Sequence, residues 1–329
     1  MSSLNYIPLR ATSQYSLLEG AMQIENIVKK AINHKIPAVG LTDRNNLFGA
    51  LEFSEKLIEN GIQPIIGCNL SFYNQKFDGS IVCLAKNEKG YKNLIKLSSE
   101  LFLTNDDEKL SLNRLSELNE GLILLSGGYQ SLINSYLKLG LKKDAIEITK
   151  ELNSIFQNRI YIEIQRMGKD DFENDLLDIS NDLKIPIVAS NTIYFESKDR
   201  FTSHDALIAI KDSTTVNNSN REILTNEFYF KSPEEMIELF NDMPQAINNT
   251  LEIAYRTSFK VSRSEPRLPR FSGLDSEGET NELITQAKEG LKKKIVENKI
   301  INEKVYWDRL NNELDIIISM NFPGYFLIV

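Results

Sequence analysis

The residues near the start of the chain are spaced as in a catalytic site, but their types do not suit metal chemistry. Residues 6–20 read YIPLRATSQYSLLEG, a short apolar strand, a polar turn, and an acid–glycine pair that leads into a helix. In α/β barrels, catalytic and metal-binding groups lie at the carboxyl ends of strands and in the loops that follow. Those places hold Pro8, Arg10 and Thr12, none of which is a ready ligand for a divalent metal. The stretch therefore predicts the frame of an active site without its active residues.

Side chains that commonly bind metals or act as nucleophiles are scarce in this chain. There are two histidines, His34 and His204, so a multinuclear site of imidazole ligands cannot be built from them. The two cysteines, Cys68 and Cys83, lie in apolar runs and are predicted to be buried free thiols in a reducing cytosol. Two cysteines alone cannot form a structural zinc site. No nucleotide-binding glycine motif or GxSxG nucleophile motif follows a predicted strand.

Composition places the chain among ordinary globular proteins. Its 329 residues are 41% hydrophobic and 26% charged, enough for one large domain and part of another. The net charge of −8 argues against a surface dominated by nucleic-acid binding, although it allows a local basic patch. The sequence has no run of about 18 apolar residues and no signal peptide, so we expect a cytoplasmic location without membrane contact.

Short apolar runs alternate with longer amphipathic ones through the first part of the chain. This alternation predicts an α/β fold with βαβ units and a parallel sheet. Seven such runs favour a closed barrel, because a closed sheet has no exposed edge. The predicted strands are residues 7–10, 38–41, 64–70, 81–84, 122–125, 160–164 and 185–189. The predicted helices between them are residues 22–33, 47–60, 91–101, 141–156 and 172–183.

The pattern changes to polar loops and helices after about residue 212. Residues 213–221 are rich in Asn, Ser and Thr and are predicted to be an exposed loop. Ser232 is predicted to cap a helix that has Pro233 at its first position and acids in its first turn. A second helix is predicted over residues 244–257. These elements form a helical extension of the barrel.

Domain boundaries follow from these changes of pattern. We expect a first domain over residues 1–270, with the barrel up to about residue 212 and the helical extension over 213–262. A linker rich in Pro, Gly and charge is expected at 263–279, followed by the start of another domain at 280–329. The sequence ends in the apolar run FPGYFLIV, which needs a partner surface, so we expect a truncated fragment. The helices expected after the linker cover residues 280–297 and 302–320.

Ten segments of the chain, taken in order, resemble one known family. They are YIPLRATSQYSLLEG, GLTDRNNLFGAL, QPIIGCNL, LAKNEKGYKNLIKL, GLILLSG, YIEIQR, PIVASN, SHDAL, KSPEEMIELFNDMPQAINNTLEIA and NFPGYFLIV. Their order and spacing are similar to those of the polymerase-and-histidinol-phosphatase (PHP) domain that opens the bacterial DNA polymerase III alpha family. The resemblance implies a distorted, seven-stranded relative of the (β/α)₈ barrel followed by a helical segment. It also implies that residues 280–329 begin the polymerase core, or palm region.

The resemblance also assigns the positions of a metal site. In metal-binding PHP domains, histidines and a few carboxylates at the barrel mouth hold two or three ions that activate water for phosphoester hydrolysis. Carried over to this chain, those positions and their immediate neighbours are Pro8, Arg10, Thr12, Glu19, Arg44, Asn69, Ser80, Met167, Thr192 and Tyr194. Glu19 alone is a ready ligand, with Asp43 as a neighbour, and Arg44 would repel a metal ion. The resemblance therefore implies a vestigial, inactive site that holds no metal.

The acids that remain near this site have ordinary structural explanations. Asp43 follows a strand and is expected to cap the next helix or to bond to loop amides. Glu19 is expected to pair with Arg10 or Arg44, so that salt bridges among these residues and Asp43 fill the pocket. His204, near a predicted helix start, is expected to be a structural hydrogen-bonding group.

The resemblance implies a non-catalytic module of a replicative DNA polymerase. Such a module would stabilise the polymerase, dock the separate proofreading exonuclease (epsilon) subunit and belong to the replicative holoenzyme, meeting DNA only through the full-length protein. No Asp-x-Asp pair occurs in the chain, and the resemblance implies that polymerase catalysis uses such a pair to hold Mg²⁺ in a later domain. We therefore expect no nucleotidyltransferase activity and no cofactor in this chain, and Mg²⁺ in the full-length polymerase.

Two other functions fit parts of the sequence. One is an active metal-dependent 3′–5′ exonuclease or phosphoesterase in the same barrel, which would need metal ligands at the mouth. The other is a scaffold protein unrelated to replication, against which the apolar end FPGYFLIV argues. A group of lysines in the last part of the chain could contact phosphates or form a solvated helix face. These are Lys288, Lys292, Lys293, Lys294, Lys299 and Lys304.

Overall fold

Strands and helices alternate in the first part of the chain, and helices make up the last part. The structure is a computed structural model that describes residues 6–74, 77–103, 110–168, 172–218, 220–264 and 269–329. The chain divides into two compact units, Met1–Ser262 and Arg263–Val329. The sheet lies in the first unit, and the second unit contains helices but no strand among the residues described.

The described residues of the first unit contain a sheet of six strands that lie side by side in sequence order. The strands are β1 (Ala38–Arg44), β2 (Gln63–Asn74), β3 (Phe77–Ala85), β4 (Leu122–Leu125), β5 (Ile160–Ile164) and β6 (Ile187–Ala189). The pairs β1–β2, β4–β5 and β5–β6 are parallel. The predicted α/β class is confirmed, whereas the number of strands differs from the predicted seven.

β3 runs against its neighbours, contrary to the predicted parallel sheet. β2 and β3 pair antiparallel, with Asn74 opposite Phe77, and β3 and β4 are also antiparallel. Only residues 75 and 76 separate β2 from β3, whereas a parallel connection needs a crossover of about a dozen residues or more. The prediction is wrong here because both strands extend beyond the apolar runs that marked them.

The two cysteines face each other across this hairpin. Cys68 and Cys83 are partners in the register of β2 and β3, and both are buried and free. Burial raises the pKa of the Cys83 thiol to about 12. The prediction of buried free thiols is confirmed.

Residues 7–10, predicted as the first strand, are not a strand of the sheet. Ala11 instead forms single parallel bridges with Leu41 of β1 and with Ile193, which follows β6. The Ala11 N–H donates to a β1 carbonyl at 3.0 Å, and the Ile193 N–H donates to the carbonyl of the residue before Ala11 at 3.0 Å. Pro8 has no N–H to give to a regular ladder. The segment nevertheless joins the first strand of the sheet to the chain that follows the last one.

Ten helices of the first unit, within the described residues, surround this sheet. They are α1 (Ile24–Asn33), α2 (Ala50–Glu59), α3 (Glu88–Leu103), α4 (Leu112–Glu117), α5 (Leu132–Lys138), α6 (Lys142–Phe156), α7 (Glu173–Leu183), α8 (Phe201–Lys211), α9 (Pro233–Leu239) and α10 (Pro244–Arg256). All helices predicted in this part of the chain are confirmed, whereas α4 and α5 have no counterpart among them. α1 shows the helical spacing of its core-facing side chains. These are Ile24, Ile27, Val28 and Ala31.

The start of α9 has the predicted cap. The Glu235 N–H donates to Ser232 Oγ, the Glu235 side chain accepts from the Ser232 N–H, and Pro233 occupies the first turn. This reciprocal arrangement satisfies two backbone donors that the helix cannot satisfy itself. The predicted loop at 213–221 contains no helix or strand in its described part, and residue 219 lies outside the described residues.

α10 covers the end of the sheet where the strands begin. Thr250 Oγ1 accepts a hydrogen bond from the Ile7 N–H at 3.0 Å, and Asn249 Nδ2 donates to Ile187 O at 2.7 Å. Gln63, the first residue of β2, donates from Nε2 to a carbonyl in the last turn of α10 at 2.8 Å. The helical extension therefore forms part of the same unit as the sheet.

The second unit is formed by α11 (Ser276–Glu297), α12 (Glu303–Ser319) and α13 (Pro323–Ile328). Asp275 caps α11 by accepting the Gly278 N–H at 2.8 Å. The helix thus begins inside the stretch 263–279 predicted as a linker, of which residues 265–268 lie outside the described residues. Among the helices described in either unit, none is both long enough and apolar enough to cross a membrane.

Replacing Thr250 by valine tests the contact between α10 and the first segment. Thr250→Val keeps the branched shape but leaves the buried Ile7 N–H without its acceptor, which costs about 1–3 kcal/mol. We expect the free energy of unfolding, measured by urea denaturation with circular dichroism, to fall by that amount. Thr202→Val, at an exposed position of α8, is the control and should change it by less than about 0.5 kcal/mol. Equal stability of the two variants would show that the contact is not needed.

Candidate functional site

Arg10 lies inside the sheet and pairs with an acid that the sequence analysis missed. It is 3% exposed, and its Nη1 lies 3.3 Å from Oε2 and 3.4 Å from Oε1 of Glu163 in β5. Glu163 Oε2 also accepts the Gly127 N–H at 2.6 Å, and Oε1 accepts the Ser190 hydroxyl at 2.7 Å. Both carboxylate oxygens are therefore satisfied. The sequence analysis expected Glu19 to pair with Arg10 or Arg44. In the described part of the chain, Arg10 is paired with Glu163 instead.

The backbone after β4 is shaped to hold this carboxylate. Gly127 has a φ of 103°, a region that favours glycine, and a Cβ there would lie 2.3 Å from Ser80 O. At Gly128, with a φ of 62°, a Cβ would lie 2.2 Å from Gln165 Oε1. A signal for Glu163 was present in the sequence, because an acid within the apolar run YIEI needs a partner once the strand is buried.

Glu19 is held by two cations at the rim of the sheet. Its Oε1 lies 2.5 Å from Lys211 Nζ, at the end of α8, and 3.6 Å from Arg44 Nε, at the end of β1. Glu19 is buried, whereas the side chains of Arg44 and Lys211 are 38% and 40% exposed. Glu19 thus lies beside Arg44, one of the two partners expected from the sequence. Its second partner, Lys211, was not expected from the sequence.

Asp43 uses both of its carboxylate oxygens to hold the neighbouring loop. Oδ1 accepts the Ser13 N–H and the Ser16 hydroxyl, each at 2.7 Å, and Oδ2 accepts the Ser13 hydroxyl at 2.7 Å. Ser16 Oγ in turn accepts the Arg44 N–H at 2.9 Å. Burial raises the pKa of Asp43, and the hydrogen bonds from the two serines oppose that rise. Asp43 therefore holds the loop of residues 13–16 against the end of β1.

The remaining positions of the expected metal site are filled by neutral, buried side chains. Met167 and Tyr194 pack in one apolar cluster that also contains four further aromatic residues, Tyr129, Phe195, Phe228 and Tyr229. Thr192 Oγ1 accepts from Gln165 Nε2 at 3.1 Å, and the Ser80 hydroxyl donates to a loop carbonyl at 3.3 Å. Asn69 Oδ1 is buried without a partner among the described residues. The residues placed there are Pro8, Thr12, Asn69, Ser80, Met167, Thr192 and Tyr194.

His204 joins α8 to the loop that carries Glu19. Its Nε2 lies 2.7 Å from Glu19 O, and because a carbonyl only accepts, Nε2 carries the hydrogen. The ring stacks on Tyr194, with 5.4 Å between the ring centroids, and Nδ1 has no partner among the described residues. Burial lowers the pKa of His204. His34, half-buried at the end of α1, stands apart from this site.

The donors at this mouth do not fit the metal cluster that the resemblance implies. In the described residues, no group of three or more His, Cys, Asp or Glu side chains is placed to hold an ion. The carboxylates of Glu19, Asp43 and Glu163 are engaged by cations or by hydrogen-bond donors, and Arg10 and Arg44 occupy two of the ligand positions. Zn²⁺ is bound by thiolate, imidazole and carboxylate groups, and Mn²⁺ favours carboxylate and other oxygen ligands. The side chains of the described mouth therefore do not supply the ligands of such a cluster.

Comparison with known proteins gives the family. Residues 8–167 match the PHP domain model, and residues 281–329 match the model named bacterial DNA polymerase III alpha NTPase domain. The DNA polymerase III subunit alpha of Caulobacter vibrioides is 40% identical over 340 residues, which cover 98% of this chain and 30% of that protein. The chain belongs to the DNA polymerase III alpha family. It spans about 30% of the length of such relatives and begins with their PHP domain.

Other members of the alpha family agree in coverage. The DNA polymerase III subunit alpha of Rickettsia prowazekii is 40% identical over 341 residues, and that of Borreliella burgdorferi is 37% identical over 345 residues. Each alignment covers 98% of this chain. It covers 29% of the Rickettsia protein and 30% of the Borreliella protein. Among solved structures, an amidohydrolase from Chromobacterium violaceum is 11% identical, with a TM-score of 0.40 over 57% of this chain and 87% of its own.

Glu163→Gln tests the buried ion pair of the PHP domain. The amide keeps the shape of the side chain but leaves the buried charge of Arg10 without a counter-ion, which costs about 3–5 kcal/mol. We expect the free energy of unfolding in urea to fall by that amount. Glu147→Gln, which breaks an exposed pair with Lys150, is the control and should cost less than about 1 kcal/mol.

A double variant separates the charge from the packing. Arg10→Met combined with Glu163→Gln removes both charges, so it should be more stable than Glu163→Gln alone, because no uncompensated charge remains buried. The same urea titration measures it. If the double variant were no more stable than Glu163→Gln, the loss would come from altered packing and the pair would not have the role assigned to it.

The burial of His204 predicts that the first unit, Met1–Ser262, is sensitive to acid. Because burial lowers its pKa in the folded protein, the unfolded chain binds the proton first as the pH falls below about 6.5. The contribution of neutral His204 to stability is therefore complete above that pH and declines below it, by at most about 1.4 kcal/mol per pH unit. We expect the unfolding free energy of the wild type, relative to His204→Gln, to decrease between about pH 7 and pH 5.5.

The control for this titration is the other histidine. His34→Gln leaves His204 in place and should keep the acid sensitivity of the wild type. Urea titrations at each pH measure all three proteins. A pH-independent difference between the wild type and His204→Gln would mean that His204 is not buried in its neutral form.

Proposed function

We propose that this chain is the N-terminal module of a replicative DNA polymerase III alpha subunit and that its PHP barrel acts through contacts and not through metal chemistry. The observation that carries this proposal is the state of Glu19. It is the one acid at an expected ligand position, and it lies 2.5 Å from Lys211 and 3.6 Å from Arg44. A carboxylate held by two cations is a poor ligand, since a metal ion would have to displace both.

The charges at the mouth support the same proposal. Two or three divalent ions require a site rich in anionic or imidazole ligands, because their charges repel one another. The mouth instead contains Arg10, Arg44 and Lys211, and two of its acids, Glu163 and Glu19, are paired with these cations. A buried arginine that pairs with Glu163 stabilises the barrel interior in the place where an enzyme would bind ions.

The role we propose for the module is twofold. It stabilises the polymerase to which it is joined, and it docks the proofreading exonuclease (epsilon) subunit within the replicative holoenzyme. The full-length polymerase would work in the cytoplasm, hold Mg²⁺ in a later domain and contact DNA there. The names of the relatives, which are DNA polymerase III alpha subunits, support this context.

Metal analysis with an exonuclease assay tests the non-catalytic role. The purified chain is incubated with Zn²⁺ or Mn²⁺, passed over a sizing column, and assayed for bound metal and for 3′–5′ cleavage of single-stranded DNA. We expect well below one ion per chain and no cleavage above that of Glu19→Ala. Glu313→Ala, which alters an exposed acid of α12, is the matched control. Stoichiometric metal with cleavage that Glu19→Ala abolishes would instead establish the active exonuclease.

Co-purification tests the docking role. The chain is mixed with the exonuclease subunit from the same cell and analysed by sizing chromatography with light scattering. We expect a complex with one copy of each protein. Separate elution of the two proteins at micromolar concentration would refute docking by this module.

A further inference from the structure

Three large apolar side chains are exposed around one groove beside the mouth of the barrel. Leu17 is 79% exposed, Phe48 is 71% exposed and Phe102 is 54% exposed, and all three line the groove. We call this groove, with Arg44 on its wall, the Phe48 groove. Apolar side chains that are exposed together beside a concave surface are typical of a binding site, whereas single exposed apolar residues are ordinary.

The loop that carries Phe48 is fixed by hydrogen bonds. Asn46 Nδ2 donates to Tyr15 O at 3.0 Å and to Arg44 O at 2.8 Å, and Asn46 Oδ1 accepts the Phe48 N–H at 3.2 Å. The Ser98 hydroxyl of α3, the helix that carries Phe102, donates at 2.7 Å to the carbonyl of the residue before Asn46. The Ser98 hydrogen bond therefore connects the helix that carries Phe102 to the backbone of the loop that carries Phe48.

The loop that carries Leu17 is fixed in a similar way. Asp43 holds Ser13 and Ser16 through the hydrogen bonds described above, and Ser16 is the residue before Leu17. A surface held in place before binding loses little conformational entropy when a partner arrives. The exposed side chains thus belong to a pre-formed groove.

The cation on the wall of the groove, Arg44, is only loosely held by its carboxylate partner. In the described part of the chain, the charged partner of the Arg44 guanidinium is Glu19 at 3.6 Å, and Glu19 is closer to Lys211, at 2.5 Å. One carboxylate therefore serves two cations. The side chain of Arg44 is 38% exposed and has room for a second carboxylate, which a guanidinium can bind through two parallel hydrogen bonds.

We propose that the Phe48 groove binds a segment of a partner protein that presents a large apolar side chain next to a carboxylate. The apolar side chain would pack between Phe48, Phe102 and Leu17, and the carboxylate would reach Arg44. The inference rests on the proposed docking function, because it requires a partner protein. It adds the place where the partner binds and the chemistry of the bound segment, neither of which the proposed function specifies.

The charges of the groove favour a peptide over a nucleic acid. Aromatic rings with an arginine can also bind single strands, but such sites follow the phosphate backbone with several cations. Among the described residues that line the groove, Arg44 is the one cation, and Glu19 lies beside it. The most exposed of the three apolar side chains of the groove, Leu17, is aliphatic and offers no aromatic surface for stacking.

Selection from a library of random peptides displayed on phage tests the inference. The intact chain is the target, and an enriched peptide is then synthesised and its affinity measured by fluorescence anisotropy. We expect the enriched peptides to carry Leu, Phe or Trp next to Asp or Glu. Phe48→Ser should weaken binding by at least about tenfold, as expected for an aromatic contact at the centre of a site. Arg44→Gln should weaken it several-fold and reduce its dependence on salt.

Two controls separate the groove from other effects. Ile32→Ser alters an apolar side chain of α1 that is 46% exposed, outside the lining of the groove, and should leave the affinity unchanged. Thermal unfolding of each variant establishes that it folds, which we expect for Phe48→Ser because the side chain is exposed. The inference is overturned if no apolar–acidic peptide is enriched, or if enriched peptides bind Phe48→Ser and Arg44→Gln as they bind the wild type.

Two further measurements distinguish this inference from the proposed function. If the exonuclease subunit bound the wild type and Phe48→Ser equally and no peptide bound the groove, the groove would be ruled out while docking stood. If peptides bound the groove but the exonuclease subunit did not bind the chain, docking would fail and the groove would stand. A single-stranded oligonucleotide that bound the wild type but not Phe48→Ser would show that the ligand is a nucleic acid and would overturn the inference.

Discussion

The buried ion pair between Arg10 and Glu163 is the interaction on which the rest of the mouth depends. A charge that is 3% exposed is costly unless it is paired and hydrogen-bonded, and Glu163 provides the pair while the Gly127 N–H and Ser190 hydroxyl satisfy its oxygens. Arg10 belongs to the segment that joins β1 to the chain after β6, and Glu163 belongs to β5. The pair therefore fixes the segment that links the two ends of the sheet, and it fills the interior at the same time.

A second layer of charges lies outside this pair. Glu19 connects the loop before α1 to β1 through Arg44 and to α8 through Lys211. His204 adds a hydrogen bond from α8 to the backbone of the same loop. The acids that a metal site would use are therefore engaged in holding loops and α8 in place. Within the described residues, each of the three acids Glu19, Asp43 and Glu163 is engaged by cations or by hydrogen-bond donors.

Local patterns in the sequence predicted the parts of the fold that depend on neighbouring residues. The amphipathic spacing of α1 and the cap at Ser232 are examples, because their contacts lie within a few positions. The direction of β3 follows from a connection of two residues, too short for a crossover, which lies outside the apolar runs. The partners at the mouth depend on residues far apart in sequence. Arg10 and Glu163 are separated by 153 positions, and Glu19 and Lys211 by 192. One sequence gives no means of pairing charges over such distances, even where each charge can be recognised as unusual.

The hydrogen bonds of Asp43 support both the mouth and the Phe48 groove. Its oxygens hold Ser13 and Ser16, and the Ser16 hydroxyl oxygen accepts the N–H of Arg44, so one carboxylate fixes both the loop before α1 and the end of β1. A metal ion bound to Asp43 would compete with these serine hydrogen bonds. Asp43 therefore supports the end of β1 and also the loop that exposes Leu17, one of the side chains through which we propose that the Phe48 groove binds its ligand.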